Sequence, residues 1–185
     1  MVRLYTRTGD SGETMCMLLR RRIRKDHPLI EALGSIDEAN SFIGLARATA
    51  REELDASLAE RLVGDLEYLQ RLLFRVGFTF SGKQGLISGD DVSRLEEIAD
   101  SYMEGIELRL FILPSGTRTS ASLHVARSVV RRAEREILRA FSTPEGQEVP
   151  DKEAILRVVN RMSDALFAMA AHVTVKTVGL EYVSI

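Results

Sequence analysis

The chain has 185 residues, 45% hydrophobic and 28% charged, which suits one globular domain with a sizeable core and excludes a disordered segment. A net charge of -2 leaves no global basic excess, so nucleic acid is not an expected partner and any anion site must be local. The single cysteine, Cys16, excludes an internal disulfide framework; no apolar run approaches the roughly 20 residues of a membrane helix, and without a secretory h-region at the N-terminus the cytoplasm is the expected compartment.

Residues 1–26 read as an extended, glycine-punctuated arm. Val2 to Thr6 is short and β-like, and Thr6 to Thr14 sets two glycines, Gly9 and Gly12, among hydroxyl residues. Such a loop can turn backbone N–H groups toward one anion, with Arg7 adding charge; a plain polar turn is the alternative. The basic run Arg20, Arg21, Arg22, Arg24 and Lys25 is equally readable as a solvated arm.

Pro28 reads as the first-turn proline of helix one, with Asp26 before it as a candidate cap. Ile30, Leu33, Ile36, Asn40, Ile43 and Arg47 trace its face. Asp37 lies beside that seam, one turn from Leu33. A carboxylate there calls for an arginine from another helix or another subunit, unless it is simply exposed. Helix two is expected from about Glu52 to Val76, with Leu58, Leu62, Leu66, Leu69, Leu73 and Val76 at heptad-like spacing. Residues 77–89 read as a loop. Within it, Gly77 to Gln84 matches G-x-x-x-x-G-K but ends in Gln, follows a leucine-rich helix rather than a strand, and so does not read as a P-loop. Helix three is expected from about Asp90 to Met103, with Asp90 or Asp91 near its cap and Gly105 ending it.

The stretch Phe111 to Arg135 carries the most information. A Leu-Pro-Ser-Gly turn leads through Thr/Ser residues suited to capping into helix four. Leu123, Ala126, Val130, Ala133 and Ile137 draw one apolar stripe, and Arg127, Arg131 and Arg135 step by four beside it. Glu134 lies on the same side, and Arg132 points elsewhere. An arginine ridge along a core stripe suits a polyanion such as a triphosphate, because the guanidinium charge is permanent and its fork matches phosphate oxygens. A solvated charged face is the alternative for the helix alone. Ser142 to Gly146 breaks the chain, and helix five is expected from about Asp151 to His172. Its stripe is Ile155, Val159, Met162, Leu166 and Met169, with Asn160, Asp164 and Phe167 in a neighbouring row that lets Asn160 face the ridge. The tail, Val173 to Ile185, reads as a short strand or a docked arm. His27, His124 and His172 have no metal-ligand spacing and are expected to be structural or solvent-facing.

Five amphipathic helices with short connections predict an all-α, five-helix bundle forming a single domain: an arm over 1–26, a helical bundle over 27–172 and a tail over 173–185. Four motifs, YTRTGDSGET, DEANSFIGLAR, FILPSG with LHVARSVVRRAERE, and VNRMSDALF, occur in one order. Together they strongly resemble the PduO-type ATP:cob(I)alamin adenosyltransferases over nearly the whole chain, least so in residues 15–24, 78–90 and the tail.

The resemblance implies a homotrimer with ATP bound between subunits, Mg²⁺, and transfer of the 5′-deoxyadenosyl group to cob(I)alamin. It implies ATP-binding roles for Thr6, Arg7, Thr8, Gly9, Thr14, Lys25, Arg131, Arg132, Glu134, Arg135 and Asn160. Arg131, Phe111 and Asn160 are the implied catalytic set, Phe111 matching the aromatic that shields the lower cobalt face. Asp37 and Arg127 match a carboxylate–arginine pair across the subunit interface. A cobalamin reductase and an adenosylcobalamin-dependent enzyme are the implied protein partners. The chain departs from the family in carrying Arg7 and Ser11 where members usually have Lys, and in Met17 to Arg22, which is one residue longer. A non-catalytic ATP- or corrinoid-binding sensor or carrier is the alternative function, and a bundle without a ligand the third reading.

Overall fold

The computed structural model of the protein describes residues 7–108 and 110–183. The expected β-like stretch Val2 to Thr6, including the site residue Thr6, lies outside the described residues. Seven regular elements and one 3-10 turn follow in order: β1 (Glu13–Cys16), β2 (Arg21–Arg24), α1 (Pro28–Glu53), α2 (Ala56–Phe80), α3 (Gly89–Met103), α4 (Arg118–Phe141), the turn Glu145–Glu148, and α5 (Lys152–Thr177). All five expected helices are present.

The helices form a closed ring of neighbours. α1 packs against α2 on one side and α4 on the other; α4 packs against α5, and α5 against α3. Side-chain bonds close α3 onto α2. Tyr68 of α2 donates its hydroxyl to Asp91 of α3 at 3.0 Å, Arg75 pairs with the same carboxylate at 2.6 Å, and Tyr102 of α3 donates to Asp65 of α2 at 2.9 Å. Asp91 is buried, and its carboxylate also accepts the Ser88 N–H, completing a capping box at the start of α3.

Several boundaries differ from the sequence expectation. His27, not Asp26, caps α1, its Nδ1 accepting the Leu29 N–H at 3.2 Å; Asp26 is instead held by Arg24 at 2.6 Å. The α1 core face is Leu29, Ala32, Ile36, Ala39, Ile43, Ala46 and Ala50, rotated from the larger Ile30 and Leu33, which are only partly buried. Four alanines on that face let α1 lie close against its neighbours. α1 continues through Glu53, and α2 starts after the Asp55 cap, which accepts from Ser57 and Leu58 N–H groups at 3.1 Å. α2 runs on to Phe80, so Gly77–Phe80 is helical rather than loop; a helix leading into Gly82 and Lys83 cannot be a P-loop. α5 reaches Thr177 because Val173 and Thr174 are buried, which overrides their β-branched tendency.

The arm is paired rather than simply extended. β1 and β2 form an antiparallel hairpin with Thr14 opposite Ile23, and Cys16 and Ile23 enter the core. The tail beyond α5 docks as expected of an arm: Leu113 N–H donates to Glu181 C=O and Val183 N–H to Phe111 C=O, both at 2.8 Å, with a bridge between Ile112 and Tyr182. No helix among the described residues is long and apolar enough to cross a membrane.

Candidate active site

The hairpin brings the arm residues together. Thr8 C=O and Glu13 C=O both accept from the Arg22 guanidinium, the second at 2.9 Å. Lys25 donates its N–H to Gly12 C=O at 2.9 Å, and its ammonium group lies over Gly9. Gly9 and Lys25 therefore meet at the open end of the hairpin, with Arg7 and Thr8 in the segment before β1 and Thr14 within β1 itself, opposite Ile23. Arg7 and Gly12 both adopt positive φ, 60° and 81°. The Gly12 N–H closes the turn on Gly9 C=O at 3.2 Å, which removes it from the anion-binding N–H groups expected of this loop.

The turn before α4 places the second set. Gly116 has φ 104°, and a β-carbon there would stand 2.6 Å from Ser120 Oγ, so the Leu-Pro-Ser-Gly turn requires glycine. Thr117 caps α4, accepting the Ser120 N–H at 3.3 Å. A cap the sequence reading did not anticipate comes from α1: Glu53 accepts the Arg118 N–H at 3.1 Å and the Thr119 N–H at 2.7 Å. Burial pushes the Glu53 carboxyl up, but these hydrogen bonds outweigh it and bring it down to about 2. No local signal in the sequence marks Glu53 as the partner of a helix that begins so far along the chain.

On α4, Arg127 and Arg131 open into a cleft of about 270 Å³ bounded by α3 and α5, with Met103, Asp164 and Phe167 among its walls. Arg127 is half-buried over the Phe167 ring, 5.9 Å from its centroid, and its Nε is buried with no hydrogen-bond partner. Burial, followed by the charge of Arg131, lowers its pKa. Arg131 is exposed, and its C=O accepts from Arg135 Nη1 at 2.9 Å. Asn160 does meet the ridge: its Nδ2 donates to Glu134 Oε1 at 3.1 Å, while its Oδ1 accepts from Arg161 at 3.0 Å. Arg132 points away from this cleft, as expected from its spacing, and pairs with Glu38 of α1.

Asp37 and Arg127 do not share a surface within one chain. Asp37 is exposed at a groove of about 220 Å³ between α1 and α2, beside Phe74 and Phe78, whereas Arg127 occupies the α3–α4–α5 cleft. Phe111 is 80% exposed at the entry to α4, flanked by exposed Leu110 and the docked tail. His124, expected to be structural or solvent-facing, is buried at 4% exposure with its ring edge-on to Phe167, and neither ring nitrogen has a partner. Burial, then Arg127, pushes its pKa down to about 4, so the imidazole is neutral.

Comparison with known proteins yields a consistent picture. The family model described as cobalamin adenosyltransferase matches residues 4–173. The chain is 38% identical over 182 residues to a corrinoid adenosyltransferase of Bacillus subtilis, covering 95% of this chain and 89% of that protein. It is 36% identical over 168 residues to the corrinoid adenosyltransferase PduO of Salmonella typhimurium, covering 90% of this chain; here it spans about half, 48%, of the relative's length. Among solved structures, a variant PduO-type ATP:corrinoid adenosyltransferase from Lactobacillus reuteri complexed with cobalamin and ATP superposes with a TM-score of 0.80 at 29% identity, covering 93% of each chain. Another variant from the same organism, complexed with ATP, gives 0.78 at 31% identity, covering 92% of this chain and 94% of that one.

Proposed function

The chain belongs to the cobalamin adenosyltransferase family, and from that premise we propose that it transfers the 5′-deoxyadenosyl group of ATP to cob(I)alamin. The cobalt(I) electron pair attacks C5′, the cobalt–carbon bond forms, the C5′–O bond breaks, and triphosphate leaves with that bonding pair. The observation that carries the reading is the Arg127–Arg131 cleft beside Phe167, in a chain whose solved relatives are described as holding ATP and cobalamin.

The reaction needs no catalytic base, since reduced cobalt is itself the nucleophile. What remains for the protein is to align C5′ with cobalt and to stabilise charge gathering on the leaving triphosphate. The arm loop around Gly9 and Lys25 and the ridge of Arg131 and Arg135 supply N–H donors and positive charge for that purpose. Asn160, tied to Glu134, sets the side-chain order along the ridge. Arg132, held by Glu38 in the single chain, joins the phosphates only if that pair opens. Exposed Phe111 offers an apolar face to the corrinoid, excluding a lower axial ligand and thereby easing reduction of cobalt(II).

Mg²⁺ fits this donor set. It keeps waters and binds substrate phosphates with one or two carboxylates, and Glu134 is a carboxylate within the ridge. When bound, it would neutralise charge on the triphosphate.

A cleft of about 270 Å³ lies just under the roughly 300–1,000 Å³ of ligand sites, so a second surface is needed to enclose a nucleotide. We assign that surface to a neighbouring copy in a homotrimer. Exposed Asp37, between Phe74 and Phe78, complements half-buried Arg127 beside Met103 and Phe167 in both charge and apolar rim. Since the two patches differ, each contact is head-to-tail, and such contacts close into a ring when the rotation between copies divides a full turn, as a three-fold does. The setting is the cytoplasm, with a cobalamin reductase supplying cobalt(I) and an adenosylcobalamin-dependent enzyme taking the product.

The test is an anaerobic mixture of the protein, ATP, Mg²⁺ and reduced cobalamin, followed by visible spectroscopy. ATP-dependent loss of cobalt(I), with a product whose cobalt–carbon bond breaks in light, is expected. ATP binding without turnover would overturn this reading in favour of a sensor or carrier.

A further inference from the structure

Asn40 stands one helical turn after Asp37 on α1 and lines the same groove between α1 and α2. Its amide is only half used. Nδ2 donates to the Gln70 backbone carbonyl at 3.3 Å, and Gln70 Nε2 returns a bond to the Asn40 backbone carbonyl at 3.3 Å. The first of these bonds fixes which way the amide points. Oδ1 is left without a hydrogen-bond partner, in a side chain that is only 7% exposed and lines the groove. A buried amide oxygen without a donor is costly and rare in a finished protein.

The complementary defect lies in the α3–α4–α5 cleft, where Arg127 Nε is buried and unpartnered. A guanidinium carries five N–H donors in a planar fork and is satisfied by two acceptors side by side. Asp37 and Asn40 present such a pair, a carboxylate at the rim of the groove and a neutral oxygen at its floor. Leu33, Phe74 and Phe78 surround them with apolar surface that would exclude water from the bond.

We infer that Asn40 is a positioning residue for subunit docking: its Oδ1, together with the Asp37 carboxylate, receives the guanidinium of Arg127 from a second copy of this chain. This rests on the proposed Asp37–Arg127 pair between copies and adds the residue that sets its direction. A lone carboxylate holds an arginine at many angles; a second acceptor on the groove floor admits one. The orientation of Arg127 then passes along α4 to Arg131, one turn further on, in the proposed phosphate-binding ridge.

The experiment is subunit mixing, read by sedimentation and by adenosyl transfer. Asn40→Leu and Arg127→Ala chains are each expected to lose assembly and at least tenfold in transfer when alone. Mixed in equal amounts, they should recover about a quarter of wild-type transfer, the share of ring contacts in which both residues are wild type. A structural defect at Asn40 would give no such recovery. If Asn40→Leu assembles and turns over like wild type, or if its mixture fails while a mixture of Asp37→Ala with Arg127→Ala recovers, the role of Asn40 is overturned and the pair stands. If the Asp37→Ala mixture also fails, the pair itself is overturned, and this inference with it. Should Asn40→Leu lose its helical circular dichroism, Asn40→Asp decides, since it keeps an acceptor at Oδ1, gives up the bond to Gln70 and adds a negative charge that a docked guanidinium would neutralise. Retained assembly in that variant supports docking, and lost assembly overturns it.

Discussion

The ammonium nitrogen of Lys25 lies 3.2 Å from where a β-carbon would stand on Gly9. The end of β2 thus closes over the loop before β1, and the absence of a side chain at position 9 is what admits the lysine. Gly9→Ala must displace Lys25, and since only the tip of a flexible side chain moves, the fold is unaffected. The expected outcome is an unchanged melting temperature with KM for ATP raised roughly tenfold, the worth of one charge-assisted contact of ~1.4 kcal/mol. Steady-state kinetics and a thermal melt check both halves.

Arg131 is exposed and lines the cleft, so its removal leaves the core intact. Arg131→Ala should lower adenosyl transfer roughly 100-fold or more, in the range seen for one preorganised donor to developing charge. Arg131→Lys keeps the charge but loses the fork and should fall between. Anaerobic loss of the cobalt(I) spectrum measures each, and sedimentation should be unchanged in both.

Phe111 is 80% exposed, which makes Phe111→Ala nearly neutral for stability, within about 0.5 kcal/mol. Its proposed task is to keep a ligand off cobalt(II) before reduction. Transfer begun from cobalt(II) with a reductant should therefore fall much further than transfer begun from pre-reduced cobalt(I). Equal losses in the two assays would remove the shielding role.

The sequence made α4 readable because its apolar stripe and arginine ridge keep helical spacing, and the structure turns Ala126, Val130, Ala133 and Ile137 inward as that spacing requires. The α1 face was harder. Its buried positions are largely alanines, whose weak hydrophobicity yields to Ile30 and Leu33 in any reading by side-chain size. The hairpin was hidden for a related reason: among its strand residues only Cys16 and Ile23 enter the core, too few to show alternation. The Glu53 cap, the Tyr68–Asp91 bond and the orphaned Asn40 oxygen depend on which helices become neighbours, and a linear pattern does not contain that. Asn160 reaching Glu134 was legible, because both fall on faces set by the same period.

Glu53 ties the end of α1 to the first N–H groups of α4, satisfying donors that a helix start leaves open. Its carboxyl sits at about 2 in the folded chain against an ordinary 4.5. The stabilisation is complete above 4.5 and lost as pH falls from there toward 2. Glu53→Gln should cost about 1 kcal/mol at neutral pH, as other lost helix caps do, and should flatten the acid limb of a denaturation series over that window.

His124 acts at higher pH. The folded protein holds it neutral down to about 4, because it is buried and lies near the Arg127 charge, while in the unfolded chain it takes up a proton near 6.5. Between these values the unfolded state binds the extra proton, so stability falls as pH drops from 6.5 to 4, by at most about 1.4 kcal/mol per pH unit for one group. His172, which burial also lowers, contributes in the same direction and must be held constant. The informative comparison is wild type against His124→Gln, each unfolded in urea at steps from pH 7 to pH 4. Losing the protonation step at position 124 should make the variant's stability decline less steeply than the wild type's. The gap between the two proteins should therefore narrow toward pH 4. Parallel curves would mean that His124 is protonated alike in folded and unfolded chains, and that the neutral imidazole beside Arg127 is not its native state.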